Sequence, residues 1–373
     1  MERSYDPKLP VEVQLCVLDN LQDDMHAMNA CALVCRTWLP TARRAIFAEV
    51  ELPVHDRLFI DLLASPLATF KTCIRTLSLI GNYTLCSSDA SRRLVTALDG
   101  ISSIRTLKLA HSDLAGLEND ILRSICTPFY NIGTLNLDFV KFTSSLTLAR
   151  FIGHFSGLRH LRVRVFFMEL PPQPLDAPCP LFQLESLTYT TQDYDDRCGL
   201  MAWFTISDLS RLERLDIGPI PRASLLCLSK FLRASNGGLR RLAIRLFDTV
   251  TADDIADCLD FAGVPLLQSL QVFVSLRKSG ENRGSSALAL LSCIGSRLSQ
   301  LTLIVSASSP LELNRMDWVA LNAALAGWQY RALRDLHVDV ACFRDPQTIA
   351  STVRDQMGVF AKRGILRVEV KVL

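Results

Sequence analysis

One short apolar phrase recurs along this chain, and it constrains the fold more than any other feature of the sequence. Each copy has six residues, with leucine at the fourth position and apolar residues at the first and sixth. Ten clear copies begin at residues 74, 104, 132, 158, 184, 212, 239, 267, 298 and 333. A degraded copy follows at Leu366–Val370. The copies lie 26 to 35 residues apart, so they form a sequence repeat rather than a chance pattern.

Each copy predicts one strand followed by one helix. Alternating apolar and polar residues are typical of a half-buried strand, and the intervals are long enough for a helix. After the seventh copy, for example, Thr251 is placed to cap a helix whose first turn holds Asp253 and Asp254. Units of this length cannot bury their helix faces alone, so neighbours must stack. The mean period of about 29 residues is at the upper end of the leucine-rich range.

We therefore predict an α/β fold in which residues 73–373 form a leucine-rich-repeat-like solenoid of about ten to eleven units. Its parallel sheet is expected to be curved, with the helices outside. The concave strand face is then the natural binding surface.

The first fifty residues follow a different, helical pattern. Pro10 suits the first turn of one helix, Asp23-Asp24 begins a second, and Pro40 begins a third. About 40 residues make a marginal core, and the apolar residues between Val11 and Leu18 point in too many directions for it to cover. Surplus apolar surface of this kind marks a partner site. The alternative is that the repeats cover these helices, which would then be an N-terminal cap.

Two motifs within residues 8–50 carry a family resemblance. The first is Leu9-Pro10-Val11-Glu12-Val13, and the second is Val34-Cys35-Arg36-Thr37-Trp38. Together they resemble the F-box family, and the phrasing is similar to fungal F-box domain-containing proteins. The resemblance implies a three-helix F-box over residues 1–50, with residues 51–72 as connecting segment and cap. It also implies that a Skp-type adaptor contacts Leu9, Pro10, Glu12, Val13, Val17, Leu18, Leu21, Val34, Cys35 and Trp38.

The function implied by the resemblance is substrate recognition in an SCF-type (Skp–cullin–F-box) E3 ubiquitin ligase. The F-box would bind the adaptor and through it a cullin, and the repeats would hold a protein substrate for ubiquitin-dependent degradation. Such a subunit acts by positioning and performs no chemistry of its own. Two alternatives stay open: a leucine-rich-repeat interaction scaffold with a degenerate F-box, and a hydrolase or transferase with a scattered site.

The motif search favours a non-catalytic chain. The sequence contains no Gly-x-Ser-x-Gly elbow, no phosphate-binding Gly-Lys-Ser/Thr loop and no Cys-x-x-Cys pair. We therefore expect no catalytic residue, no cofactor and no metal. With 40 basic and 38 acidic residues, we expect no nucleic-acid partner. A charged N-terminus and the lack of a long apolar run predict an intracellular protein, cytoplasmic or nuclear, without membrane contact.

Outward positions on the predicted strands are rich in arginine. Reading each copy with a period of two places the following side chains on the binding face: His160, Arg162, Arg164, Arg214, Arg241 and Arg245. Guanidinium groups form bidentate charged hydrogen bonds with carboxylates and phosphates. The patch therefore predicts an acidic or phosphorylated protein substrate. The competing interpretation is that these exposed positions are charged for solubility.

Overall fold

A computed structural model of the chain divides into two compact units, Met1–Lys141 and Phe142–Leu373. The structure describes residues 10–53, 56–81, 88–117, 119–169, 182–191, 197–247, 249–276, 283–294, 298–307, 310–314, 316–327, 330–342 and 345–372. The domain borders expected after residues 50 and 72 remain predictions. No helix in the described ranges is both long enough and apolar enough to cross a bilayer.

The first unit begins with three short helices at the positions that the sequence predicts. They are α1 (Val11–Asn20), α2 (Met25–Val34) and α3 (Leu39–Ile46). Asp24 caps α2, because its carboxylate accepts hydrogen bonds from the backbone N–H groups of His26 and Ala27 at 3.0 and 2.9 Å. The helices enclose a small core of four buried side chains, Leu18, Met28, Cys31 and Ala42.

The rest of the first unit alternates strands and helices. In chain order the elements are β1 (Glu49–Pro53), α4 (Arg57–Ala64), a 3-10 turn at Thr69–Cys73, β2 (Thr76–Ile80), α5 (Ser88–Leu98), β3 (Thr106–Ala110), α6 (Asn119–Cys126), a 3-10 turn at Thr127–Phe129 and β4 (Thr134–Phe142). The four strands pair in chain order, and all pairs are parallel. Because β1 precedes the first copy of the phrase and pairs with β2, the sheet starts one strand before the sequence repeat.

The second unit continues the same alternation with eight more described strands. Its elements are α7 (Ser145–Ile152), β5 (His160–Phe167), β6 (Ser186–Thr191), α8 (Arg197–Phe204), β7 (Arg214–Ile220), a 3-10 turn at Arg222–Ser224, α9 (Leu225–Ala234), β8 (Arg241–Leu246), α10 (Ala252–Cys258), β9 (Ser269–Ser275), α11 (Arg283–Cys293), β10 (Gln300–Ser306), α12 (Pro310–Leu313), α13 (Trp318–Leu325), β11 (Asp335–Cys342), α14 (Pro346–Gln356), α15 (Gly358–Lys362) and β12 (Leu366–Val372). These strands also pair in parallel and in chain order.

The predicted cap of α10 is confirmed. The Thr251 hydroxyl accepts a hydrogen bond from the backbone N–H of Asp254 at 3.2 Å, and the Thr251 backbone N–H donates to the Asp254 carboxylate at 3.0 Å. This reciprocal arrangement is a capping box. The helix that follows this copy of the phrase therefore begins at a capping box whose residues, Thr251 and Asp254, are recognisable in the sequence.

Each described strand of the ten clear copies begins two residues after its phrase begins. The first apolar residue of a phrase therefore precedes the strand, where it is buried, as in Ile104 and Leu239. The phrase leucine is the second residue of the strand, and these leucines are at most 2% exposed in all ten copies. Within each unit they pair in register, for example Leu77 with Leu107 in the first and Leu242 with Leu270 in the second. We call this arrangement the leucine ladder.

A repeated backbone hydrogen bond fixes where each strand starts. The carbonyl of Arg240 accepts hydrogen bonds from two successive N–H groups of the next copy, those of Gln268 at 2.9 Å and Ser269 at 3.0 Å. The same two-donor pattern occurs in the first unit, where Arg105 and Thr106 both donate to the Arg75 carbonyl. The equivalent carbonyl makes this contact in eight of the ten copies, so these neighbouring strands enter the sheet without a shift in register.

The leucine ladder predicts a large difference between two leucines four residues apart. Leu270 is fully buried in the ladder, whereas Leu266 is 56% exposed just before β9. We expect Leu270→Ala to lower the free energy of unfolding by about 2–5 kcal/mol, because it leaves a cavity in close-packed surroundings. Leu266→Ala is the matched control and should change it by less than about 0.5 kcal/mol. Urea unfolding followed by circular dichroism measures both, and equal effects would contradict the ladder.

Candidate functional site

Outward-facing side chains of the second unit form rows across its strands. The strand register places one residue of each copy in a line that we call the first row: His160, Ser186, Arg214, Arg241, Ser269 and Gln300. Two residues further along each strand lies the second row: Arg162, Thr188, Asp216, Ala243, Gln271 and Thr302. Between the rows, Leu161 and Val163 are buried, as the period of two predicts.

A depression of about 570 Å³ lies over these rows, between β6 and β10. Its lining residues are Ser186, Leu187, Thr188, Arg214, Leu215, Asp216, Arg241, Leu242, Ala243, Ser269, Gln271 and Gln300. Of the six residues predicted to contact substrate, Arg214 and Arg241 line this depression. The other four, His160, Arg162, Arg164 and Arg245, are not part of its lining.

Arg214 and Arg241 are direct partners on adjacent strands. Like charges in such positions repel each other, and in the described part of the chain neither guanidinium has a carboxylate within ion-pair distance. The hydroxyls of Ser186 and Ser269 flank the pair in the first row. A bound anion would offset the repulsion and accept hydrogen bonds from both guanidinium groups. The arrangement therefore suits a carboxylate or a phosphate.

The other arginines have a different electrostatic setting, centred on Asp216. Arg245, Arg162 and Arg164 all act on this carboxylate. The pKa of Asp216 is nevertheless raised, because its partial removal from solvent penalises the charged form more than the three arginines favour it. The patch predicted from the sequence is therefore two groups: an arginine pair that lines the depression, and three arginines outside its lining that act on Asp216, itself a lining residue.

Arg245 is further constrained by its packing. Its guanidinium carbon lies 4.2 Å from the centre of the Phe273 ring, a cation–π contact. Desolvation there lowers the pKa of Arg245. Gly218, with φ of 148°, faces this residue, and a Cβ at Gly218 would lie 2.6 Å from both the Cβ and the carbonyl oxygen of Arg245. Glycine at this position lets β7 and β8 approach each other closely. The backbone of Arg245 therefore packs against Gly218 while its guanidinium packs on the Phe273 ring.

His160 lies at the edge of the first row. Its Nδ1 is 3.0 Å from the Ser186 hydroxyl, and its Nε2 is 3.8 Å from a carboxylate oxygen of Glu185. Ser186 also lines the depression. His160 therefore orients a neighbour of the anion-binding candidates from outside the cavity.

The polar residues Ser186, Ser269, Gln271 and Gln300 were not singled out from the sequence. A signal for the first row was available, because every member is the third residue of its six-residue phrase. Reading this third position down the repeat would have found the row without the structure. What it could not provide is the extent of the depression, which depends on how far each side chain extends above the strands.

The predicted adaptor contacts lie in the first unit, and most of them are at its surface. Pro10, Glu12, Val13, Val17, Val34 and Cys35 are exposed, whereas Leu21 and Trp38 are half-buried against the small helical core. The Trp38 indole N–H donates to the side-chain oxygen of Gln14 at 2.7 Å. Leu18 has no exposed surface, so it supports these helices from within rather than contacting a partner directly. Leu9 lies outside the described residues.

The surplus apolar surface expected on these helices is present. On α1, Val13 is 44% and Val17 is 40% exposed, and near the end of α2, Leu33 is 88% and Val34 is 62% exposed. Val11, Leu15 and Met25 are also exposed. A small core with this much uncovered apolar surface is a candidate partner site.

No family model and no curated protein matches the chain. One similar solved structure is the leucine-rich repeat-containing protein LegL7 from Legionella pneumophila, with 14% sequence identity, a TM-score of 0.42, and coverage of 83% of this chain and 98% of that one. The chain's own strand register and leucine ladder define its class, a protein built from leucine-rich-like repeats.

The arginine pair predicts anion binding that depends on individual side chains. Arg214→Gln or Arg241→Gln should weaken the binding of inorganic phosphate about tenfold, because each removes a charged hydrogen-bond donor. Asp216→Asn should strengthen it, because it removes the acidic lining residue. The measurement is the rise in melting temperature with phosphate, compared with sodium chloride at equal ionic strength.

Arg240→Gln is the matched control, since Arg240 is exposed next to Arg241 but does not line the depression. If this variant loses phosphate binding to the same extent as Arg241→Gln, the effect is one of overall charge and the site is wrong.

Proposed function

We propose that this chain is the substrate-recognition subunit of an SCF-type E3 ubiquitin ligase. In this proposal α1, α2 and α3 bind a Skp-type adaptor, and through it a cullin, while the outward strand surface of the repeats binds a protein substrate. The observation that carries the proposal is the uncovered apolar surface on α1 and α2, in a segment whose motifs resemble the F-box. The adaptor-binding half and the substrate-binding half of the proposal depend on different residues.

The adaptor half is supported by the balance between core and surface in the helices. Four buried side chains make up their core, whereas Val13, Val17, Leu33 and Val34 remain substantially exposed. Covering the exposed part of a valine side chain contributes roughly 1 kcal/mol, so a partner that covers several of these residues gains useful affinity. Exposed Glu12 and the exposed thiol of Cys35 would lie at the polar edge of such an interface.

The substrate half is supported by the arginine pair. Arg214 and Arg241 line a depression that also offers hydroxyl and amide groups as hydrogen-bond partners. This combination suits an acidic or phosphorylated segment of a protein substrate. The chain would then act by positioning: it would hold a substrate lysine near a ubiquitin thioester and so raise its effective concentration. This mechanism requires no catalytic group from the chain.

The adaptor half predicts that negative charge on α1 strongly weakens adaptor binding. Val13 and Val17 lie one turn apart, and both are exposed, so the double variant Val13→Glu/Val17→Glu should fold. We expect it to weaken binding to a recombinant fungal Skp-type adaptor at least about 100-fold, because two carboxylates would be buried against apolar surface. Co-purification and surface plasmon resonance measure the effect.

A matched control exists on another helix of the first unit. Leu58 and Leu62 are exposed and also lie four residues apart, on α4. Leu58→Glu/Leu62→Glu should leave adaptor binding unchanged. If the wild-type chain does not bind the adaptor, the ubiquitin-ligase proposal is wrong, and a repeat scaffold with a degenerate F-box takes its place.

The two halves of the proposal should fail independently. Affinity purification followed by mass spectrometry should identify an adaptor, a cullin and substrate proteins with the wild-type chain. Arg214→Glu/Arg241→Glu should lose the substrates and keep the adaptor, whereas Val13→Glu/Val17→Glu should do the opposite. Substrates that survive the arginine variant would show that the depression is not the binding surface.

A further inference from the structure

A second cluster of polar side chains lies on the outward strand surface, at β11 and β12. His337 and Asp339 are two residues apart on β11, and Glu369 on β12 is the direct strand partner of Asp339. Val338, the residue between them on β11, is buried, so His337 and Asp339 share the outward face. The cluster was not expected from the sequence, which predicts no metal.

The three side chains bring one nitrogen and two oxygens together. Nε2 of His337 is 2.8 Å from Oδ1 of Asp339 and 3.6 Å from Oε2 of Glu369. All three ligand atoms lie within 4.8 Å of one another. A metal ion binds such atoms at about 2.0–2.2 Å, so ligands on one metal are roughly 3.0–3.5 Å apart. Shifts of a few tenths of an ångström to about 1 Å would bring these atoms into that range.

The buried oxygen of Asp339 is an independent observation that points to a ligand. Oδ1 has less than 1 Å² of accessible surface and no hydrogen-bond partner in the described part of the chain. His337 Nε2 is close to it, but the contact lacks hydrogen-bond geometry. A buried carboxylate oxygen that accepts no hydrogen bond, and whose near neighbour is an imidazole nitrogen at 2.8 Å, is unfavourable while that imidazole is neutral. A cation between Oδ1 and the imidazole nitrogen would satisfy both atoms.

Lys371 is the cation already present near this cluster. Its Nζ lies 3.8 Å from Oδ2 of Asp339 and 3.5 Å from Oε1 of Glu369. These are the other oxygens of the two carboxylates, so the atoms that face His337 remain available. The ammonium group therefore opposes a metal ion by its charge, but it does not occupy the position between the three ligand atoms.

We propose that His337, Asp339 and Glu369 form a binding site for a divalent first-row metal ion. Imidazole and carboxylate ligands suit ions such as Mn²⁺, Fe²⁺ and Zn²⁺. A bound ion would link β11 to β12, the last described strand of the sheet, and so stabilise that strand. The proposal does not depend on the ubiquitin-ligase function.

Manganese is the appropriate probe, because the chain has 12 cysteines and thiolates bind Zn²⁺ but are poor ligands for Mn²⁺. The full chain, without an affinity tag, is titrated with Mn²⁺ in a non-chelating reductant, and free Mn²⁺ is measured by electron paramagnetic resonance. We expect one equivalent to bind. His337→Gln and Glu369→Gln should each weaken binding at least about tenfold, and Lys371→Gln should strengthen it.

The matched control is His160→Gln. His160 also lies on the outward strand face, but its imidazole is near one carboxylate, that of Glu185 at 3.8 Å. This variant should bind Mn²⁺ like the wild type. The proposal is overturned if the wild type does not bind one equivalent at millimolar Mn²⁺, or if the His337 and Glu369 variants bind as well as the His160 control. Circular dichroism confirms that each variant is folded.

Discussion

The leucine ladder is the interaction on which the rest of the structure depends. Within each unit, a copy of the phrase places one leucine against the equivalent leucine of the next strand, and these leucines are excluded from water. Because side chains alternate along a strand, the ladder also decides which residues point outward. A shift of one residue in a strand would move its ladder leucine to the surface and its outward charged residues into the core. The paired N–H donors at the start of each strand reinforce the same register.

This division leaves the outward positions free to serve function. Within the second unit, the buried face of β5 to β11 carries the same leucine in every strand, whereas the outward-facing side chains differ strongly from strand to strand. Arg214 and Arg241 stand over one part of the surface, and His337, Asp339 and Glu369 over another. Changes at these positions cost little stability, because the buried face supplies most of the hydrophobic burial. A repeat protein can therefore carry chemically different sites on one continuous type of framework.

The N-terminal helices follow the opposite principle. Their core is small, and much of their apolar surface is uncovered, so few side chains stabilise these helices from within and many stay exposed. Leu18 shows how the two roles divide within one helix. It is buried among Met28, Cys31 and Ala42, whereas Val13 and Val17 on the same helix are exposed. A helix of ten residues can turn one face towards the core and leave another exposed.

The sequence by itself determined the repeat, its strand-and-helix units, the three N-terminal helices and the cap at Thr251, because these depend on local periodicity and on side chains close in the chain. It also placed the arginines outward. Only the tertiary structure decided that the strands begin two residues into each phrase and that β1 joins the sheet. It separated Arg214 and Arg241, which line the depression, from Arg162, Arg164 and Arg245, which do not, since cavity lining depends on neighbouring strands that are distant in the sequence. For the same reason Glu369 could be placed beside His337 and Asp339 only after strand pairing had brought two copies together.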